Sequence, residues 1–291
     1  MSPAAKPGNH VAEWYGHRVF PVVAGTPNAL ADQRAGRCPF LTEATGENRL
    51  CVKNENSTGV CTVSSTSKTH GRQDWLVCPI RSLDTPLVED VARRLFDITA
   101  DAQVEVVPVT VLADPQRRAT FRAAVTAGTP CVAYFQTKLG GEITLAATER
   151  SPEFSFDATM VEILPDGAGG LRLGRYGIFE IQTMDYHGSY RAAVSNLRDA
   201  LRLHHNDFHD ALASRPQWLS EKMEGPNISN VFKRTFYQMM FKFQIGAHPT
   251  SAGCVFAIPS RCGTPGNGTS PPRSWSTAAT VHGSWVSPPR S

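Results

Sequence analysis

Two acidic residues in the middle of the chain stand where a β-hairpin would bring their side chains together. Asp157 lies in a segment whose apolar and polar residues alternate with the period of two of a half-buried strand. After the turn signal Pro165-Asp166-Gly167, a second run of β-forming residues carries Glu180 and Gln182 on one face, with Ile181 turned away. Facing like charges destabilise a sheet unless a metal ion or a shared proton compensates them. The pattern therefore predicts a cation site suited to Mg²⁺, although solvated strand charges would also explain it.

Four cysteines lie in the polar first part of the chain: Cys38, Cys51, Cys61 and Cys78. Four thiolates can hold zinc or iron tetrahedrally, and in a segment poor in apolar residues the metal's binding energy becomes folding energy. No C-x-x-C pair is present, so the spacing also leaves open a set of unrelated buried thiols. Thiolate chemistry by itself does not choose between zinc and iron.

A long helix is predicted within the stretch from Lys222 to Gly246, because its apolar residues recur at helical spacing. The residues left for the opposite face are Lys233, Arg234, Gln238 and Lys242. A basic helix start preceded by turns around Asn227 suits a phosphate, through both charge and free N–H groups. A core helix with a solvated basic face explains the same pattern equally well.

Shorter elements are expected before and after the hairpin. The predicted helices run from Thr85 to about Phe96, from Pro115 to near Gly128 and from Ser189 to Leu203. The predicted strands are Gln103 to Leu112, Cys131 to Gln136 and Ile143 to Ala146.

Composition sets few limits on function. The chain has 291 residues, 41% hydrophobic, and a net charge of +3, which is a weak indication of a polyanionic partner. It has no apolar run long enough to span a bilayer and no hydrophobic signal core, so we expect a cytoplasmic protein without a membrane partner. In that compartment its seven cysteines are expected to be ligands or buried thiols and not disulfides.

Four longer motifs add a resemblance to a known family. They are YFQTKLGGE (134–142), PEFSFD (152–157), EIQTMDYHGSY (180–190) and KMEGPNISNVFKRTFYQM (222–239). Together they closely resemble the NotI-type restriction endonucleases, over a range from about Val11 to Pro259. Asp157 with Glu180-Ile181-Gln182 is similar to the D…(D/E)-x-K hairpin of restriction-endonuclease-like nucleases, in the variant with glutamine in place of lysine.

The resemblance implies roles for individual residues. Asp157, Glu180 and the Ile181 carbonyl would hold catalytic Mg²⁺, Glu142 would join them, and Gln182 would orient the attacking water or the substrate. The four cysteines would hold a structural metal, iron in preference to zinc. The residues expected to contact DNA are Arg175, Lys222, Asn227, Lys233 and Arg234.

The resemblance also implies a fold and partners. The expected fold is α/β, a restriction-endonuclease-like mixed sheet flanked by helices, with a small N-terminal four-cysteine module. The expected activity is Mg²⁺-dependent cleavage of double-stranded DNA at a short GC-rich palindrome. Palindromic recognition implies a homodimer, and the cognate DNA methyltransferase would be a functional partner. The main alternative is a sequence-specific DNA-binding protein that has lost cleavage, and a third is a metal-stabilised structural module.

The expected domains are a disordered N-terminus (1–10), the four-cysteine module (11–82), the catalytic and DNA-binding domain (83–259) and a disordered tail (260–291). The tail is rich in Ser, Pro, Gly and Thr and lacks Leu, Ile and Phe, so it has too little apolar surface to order itself. It departs abruptly from the NotI-type pattern after Pro259, which suggests a truncated or frameshifted product.

Overall fold

The computed structural model describes residues 8–67, 71–83, 85–136, 144–145, 154–259 and 275–281. Within these residues the protein is mixed α/β, with a four-stranded sheet, a six-stranded sheet and a two-stranded ribbon. Contacts divide the chain into two units. Unit 1 comprises residues 1–82, 183–233 and 259–275, and unit 2 comprises residues 83–182, 234–258 and 276–291.

Unit 1 is built on an antiparallel sheet of strand order β2-β1-β3-β4. Its strands are β1 (Asn9–Trp14), β2 (His17–Arg18), β3 (Val60–Ser67) and β4 (Gly71–Leu76). Its helices are α1 (Pro27–Ala35), α2 (Pro39–Thr45), α5 (Arg191–Leu203) and α6 (Phe208–Ser214), with 3-10 turns at Pro79–Ser82 and Pro216–Leu219. Val194 and Leu197 of α5 lie in one apolar cluster with Val11 and Val63 of the sheet.

Unit 2 is built on a mixed sheet of strand order β12-β11-β10-β9-β6-β5. Its strands are β5 (Glu105–Pro108), β6 (Cys131–Phe135), β9 (Ala158–Pro165), β10 (Leu171–Ile181), β11 (Ser251–Pro259) and β12 (Trp275–Val281), and β7 (Thr144–Leu145) pairs with β8 (Phe154–Ser155) in the ribbon. Its helices are α3 (Thr85–Phe96), α4 (Pro115–Thr126) and, from Arg234 onward, α7 (Ile228–Gly246). Strand β10 pairs antiparallel with β9 and parallel with β11.

The predicted hairpin is present as β9 and β10. Its turn forms because the Asp166 carboxylate accepts hydrogen bonds from the backbone N–H groups of Ala168, at 2.9 Å, and Gly170, at 2.6 Å. At the other end of the ladder, Ala158 pairs with Phe179. That register places Asp157 and Glu180 side by side just beyond the last pair.

The predicted helices are confirmed as α3, α4 and α5, and Asp114 caps α4 by accepting the N–H of Arg117 at 2.8 Å. The predicted strand from Gln103 to Leu112 was too long. It ends at Pro108, which has no N–H for a ladder hydrogen bond, and a 3-10 helix follows over Val109–Ala113.

The domain boundaries differ from the predicted ones in three places. Residues 183–233 group with the N-terminal residues, because the apolar stripe of α5 packs in unit 1. The N-terminal strand begins at Asn9, inside the segment expected to be disordered, and His10 is buried against the Phe20 ring. In the expected disordered tail, Trp275–Val281 forms β12, a segment whose Trp, Thr and Val favour strands. The rest of the tail and residues 1–7 lie outside the described residues.

The described part of the chain holds no helix that is both long enough and apolar enough to cross a bilayer.

Helix α3 packs closely on β10 because Gly177 has no side chain. A Cβ there would lie 2.7 Å from Cδ1 of the fully buried Leu95. We expect Gly177→Ala to lower the free energy of unfolding by about 1–3 kcal/mol through overpacking. The control is Gly225→Ala, where nothing lies within 4 Å of an added Cβ and the expected change is within about 0.5 kcal/mol. Urea denaturation of both variants measures the difference, and equal losses would contradict the close packing.

Candidate functional site

The two hairpin acids are held together by reciprocal hydrogen bonds. The backbone N–H of Asp157 donates to Oε1 of Glu180 at 3.3 Å, and the N–H of Ile181 donates to Oδ2 of Asp157 at 2.9 Å. Glu180 is only 2% exposed, whereas Asp157 is half-buried. Each carboxylate is therefore fixed by the main chain of the opposite strand, and the pair converges as the sequence predicted.

A lysine from helix α7 completes this cluster. Nζ of Lys242 lies 2.5 Å from Oε2 of Glu180 and 5.6 Å from the centre of the Phe156 ring. Lys242 is only 3% exposed, so the expectation that it belongs to a solvated face was wrong. Its neighbours Phe241 and Phe243 make the local sequence apolar, and that context was the available signal for burial.

Burial is the largest influence on the Glu180 carboxyl. Burial and the neighbouring charge of Asp157 raise the pKa of Glu180 to about 8, while the Lys242 ammonium acts in the opposite direction. The site thus pairs a half-buried acid with a desolvated one, and a negative charge on Glu180 is unfavourable without a cation. In the structure that cation is Lys242.

Gln182 is oriented by the same helix. Its side-chain carbonyl accepts a hydrogen bond from the Thr235 hydroxyl at 2.6 Å, and its backbone N–H donates to Ala257 at 3.0 Å. The amide oxygen of Gln182 is the acceptor in this contact, and its NH₂ group can act only as a donor. No feature of the sequence singled out Thr235 for this polar contact.

The donor set of the acid pair fits a hard cation. Two carboxylates and the Ile181 carbonyl are oxygen ligands of the kind that Mg²⁺ prefers, and Mg²⁺ often takes one or two carboxylates and keeps its waters. Glu142, the expected third acid, lies outside the described residues. Among the residues that are described, no three His, Cys, Asp or Glu side chains form a group that could hold a metal ion.

The four cysteines of unit 1 are buried or half-buried free thiols, and among the described residues they do not form a group that could hold a metal ion. Cys38 precedes α2 and makes no side-chain capping hydrogen bond there, and the Cys61 thiol donates to the carbonyl of Gly59 at 3.4 Å. The N–H of Gly59 donates to Sγ of Cys51 at 3.3 Å. Amide donors to sulfur favour the thiolate form that metals bind.

Burial and mutual repulsion oppose that ionisation. Burial, with smaller contributions from Cys78 and Cys51, raises the pKa of Cys38 to about 11. Burial raises the pKa of Cys61 in the same way, again with contributions from Cys78 and Cys38. A bound cation would lower the cost of ionising these thiols.

The expected DNA-contacting residues are placed differently from one another. In unit 1, Lys222 and Lys233 are exposed, whereas Asn227 caps α7 by accepting the N–H of Asn230 at 3.2 Å. The side chain of Arg234 lies outside the described residues. These positions leave Lys222 and Lys233 accessible to a phosphate.

Arg175 of unit 2 is engaged within its own unit. Its guanidinium contacts Oδ2 of Asp97 at 3.2 Å, the carbonyl of Phe96 at 3.1 Å and a carboxylate oxygen of Glu162 at 3.7 Å. These contacts tie β10 to the end of α3 and to β9. A DNA contact by Arg175 would compete with them.

Comparison with known proteins adds no family. No protein-family model matches the chain, and no curated protein sequence matches it.

The raised pKa of Glu180 predicts a pH dependence of stability. The folded protein holds this proton more tightly than the unfolded chain, whose carboxyl titrates near 4.5, so the stabilisation is complete below pH 4.5 and is lost as the pH rises through about 8. Without divalent metal, the unfolding free energy of the wild type relative to Glu180→Gln should fall by about 2–4 kcal/mol between pH 5 and pH 8. Urea denaturation at several pH values measures both proteins. If the unfolding free energies of the wild type and Glu180→Gln change with pH in the same way, the strongly raised pKa of Glu180 is contradicted.

Proposed function

We propose that the protein is a metal-dependent endonuclease that hydrolyses phosphodiester bonds in double-stranded DNA, of the NotI-type restriction kind. The observation that carries the proposal is the acid pair. Asp157, directly before β9, and Glu180 of β10 are joined by reciprocal backbone hydrogen bonds, and Glu180 is desolvated beside a cation. The mixed sheet around this hairpin and the four quoted motifs support the same assignment.

The chain's own groups suggest how such a site would work. Asp157, Glu180 and the Ile181 carbonyl would hold Mg²⁺, and Glu142 would contribute from the motif before them. When bound, Mg²⁺ lowers the pKa of coordinated water and stabilises negative charge on the scissile phosphate. The Gln182 amide, held by Thr235, would donate a hydrogen bond to the attacking water or to a phosphate oxygen.

DNA recognition is the less specified part of the proposal. Lys222, Asn227, Lys233 and Arg234 would contact DNA, with Arg175 a further candidate. A short GC-rich palindrome would be read by a homodimer, one half-site per subunit, since arginine and lysine pair well with guanine edges. Such an enzyme would act in the cytoplasm beside a cognate methyltransferase that protects the host DNA.

We also propose that Cys38, Cys51, Cys61 and Cys78 hold one structural metal ion, iron or zinc. The burial of these thiols in one unit and the hydrogen bond from the Gly59 N–H to Sγ of Cys51 support this assignment. A tetrahedral thiolate site has no open position for substrate, so the ion would stabilise unit 1 and take no part in cleavage.

One observation favours a second candidate function, a DNA-binding protein that does not cut. The Lys242 ammonium already neutralises Glu180, so this buried carboxylate has a counter-charge without a divalent ion. Supercoiled plasmid incubated with Mg²⁺ separates the candidates. Defined linear fragments support the endonuclease, a footprint without cutting supports the binding protein, and neither result would reject both.

Replacing Asp157 tests the catalytic assignment. We expect Asp157→Asn to reduce the cleavage rate at least 1,000-fold, because the change removes a metal ligand charge, as estimated from typical losses of transition-state stabilisation. DNA affinity, measured by gel shift in Ca²⁺, should stay within about threefold, because no base contact is removed. Undiminished cutting by this variant would exclude Asp157 from the site.

Replacing Cys78 tests the structural metal. We expect the purified wild type to carry iron or zinc, and Cys78→Ser to lose most of it and to unfold at a lower temperature, because metal binding energy is folding energy. Cys131→Ala is the matched control, since Cys131 packs in an apolar cluster of unit 2. Elemental analysis of the wild type and both variants measures the bound metal. A wild type without metal, or equal metal in both variants, would contradict the four-cysteine site.

A further inference from the structure

Lys242 brings a buried positive charge into the site that the proposed function assigns to a divalent cation. Its Nζ lies 2.5 Å from Oε2 of Glu180, and the two residues are 3% and 2% exposed. A side chain so enclosed is not presented to a phosphate at the surface. Its position indicates a role at the acid pair itself.

The ammonium is fixed by the packing of helix α7. Lys242 lies two turns after Thr235 on the helix, and both side chains reach β10, one to Glu180 and the other to Gln182. Beside Lys242, the ring of Phe243 packs edge-on against Phe256 of β11 at 5.3 Å. The helix therefore holds the ammonium over the carboxylates and leaves it little freedom to swing into solvent.

The charges of these three side chains are unequal. When both acids are ionised, Asp157 and Glu180 supply two negative charges and Lys242 supplies one positive charge, so the three groups carry one net negative charge. One oxygen of each carboxylate is already tied to a backbone N–H, and the second oxygen of Glu180 is taken by Lys242. The two acids by themselves therefore offer ligands for one divalent ion and not for two.

We propose that Lys242 is the resident counter-cation of the acid pair. Its ammonium neutralises Glu180 beside Asp157 when no divalent ion is bound, stays on Glu180 when an ion is held by Asp157, and limits the acid pair to a single divalent ion. Lys242 is thus a positioning residue that acts through Glu180. The inference rests on the proposed metal site but not on the identity of the substrate.

The test is a calorimetric titration of the metal-free full chain with Mn²⁺, which prefers oxygen ligands. The wild type should bind one Mn²⁺ that Asp157→Asn does not bind. Lys242→Met should bind that ion at least tenfold more tightly, because a repelling unit charge a few ångströms away has been removed. Lys242→Arg keeps the charge and should stay within about threefold of the wild type.

A structural role alone predicts a different result. If Lys242 only stabilises the fold, Lys242→Met should unfold at a lower temperature and bind Mn²⁺ no more tightly than the wild type, and that outcome would overturn the proposal. If Lys242→Met fails to fold, the number of Mn²⁺ ions bound by the wild type decides. Two ions that depend on Asp157 would overturn the proposal, and one would support it.

The same titration separates this inference from the nuclease assignment. If the wild type does not cut plasmid but Lys242→Met binds Mn²⁺ more tightly than the wild type, the counter-cation proposal is supported and the nuclease assignment is rejected. If the wild type cuts plasmid but binds two Mn²⁺ ions that depend on Asp157, only the counter-cation proposal is rejected. The same holds if Lys242→Met binds Mn²⁺ no more tightly than the wild type. Arg172→Met, an exposed charge on the same strand, should change neither cutting nor Mn²⁺ affinity.

Discussion

A desolvated carboxylate beside a second carboxylate is the constraint on which the rest of unit 2 depends. Water cannot solvate Glu180, so the protein must supply both hydrogen-bond donors and positive charge. The donors come from the hairpin. Just beyond the last residue pair of β9 and β10, the N–H of Asp157 donates to Glu180 and the N–H of Ile181 donates to Asp157. The charge comes from α7, which crosses over between the parallel strands β10 and β11. Hairpin and crossover helix are both needed to make a single stable site.

Unit 1 also encloses ionisable groups. Cys38 and Cys78 are each followed by proline, which begins α2 in the first place and a 3-10 helix in the second. Proline suits the first position of a helix, because its φ angle is fixed and it has no N–H of its own to satisfy. Two of the thiols proposed to bind a metal therefore lie directly before a helix start.

Local features were predictable from the sequence, and distant pairings were not. Alternation and the turn around Asp166 predicted the hairpin, and cap residues such as Asp114 predicted helix starts, because these signals act over a few residues. Helical spacing predicts Lys242 on the face opposite the apolar one, as either a solvated or a phosphate-contacting residue, but its burial depends on how α7 meets a strand far away in sequence. The grouping of residues 183–233 with the N-terminal sheet was missed for the same reason, since only the packed structure shows which sheet covers the stripe of α5.

Residues 183–233 belong to unit 1, whereas the chain on either side of them belongs to unit 2. The hydrogen bond from Thr235 to Gln182, which are 53 positions apart, brings the two ends of this segment together. Segments whose ends meet in space can be lengthened, shortened or exchanged without disturbing the host fold. The intervening residues carry Lys222 and Asn227, and so belong to the part proposed to read DNA. Changes within this segment would therefore leave the arrangement of Asp157, Glu180 and Lys242 in unit 2 intact.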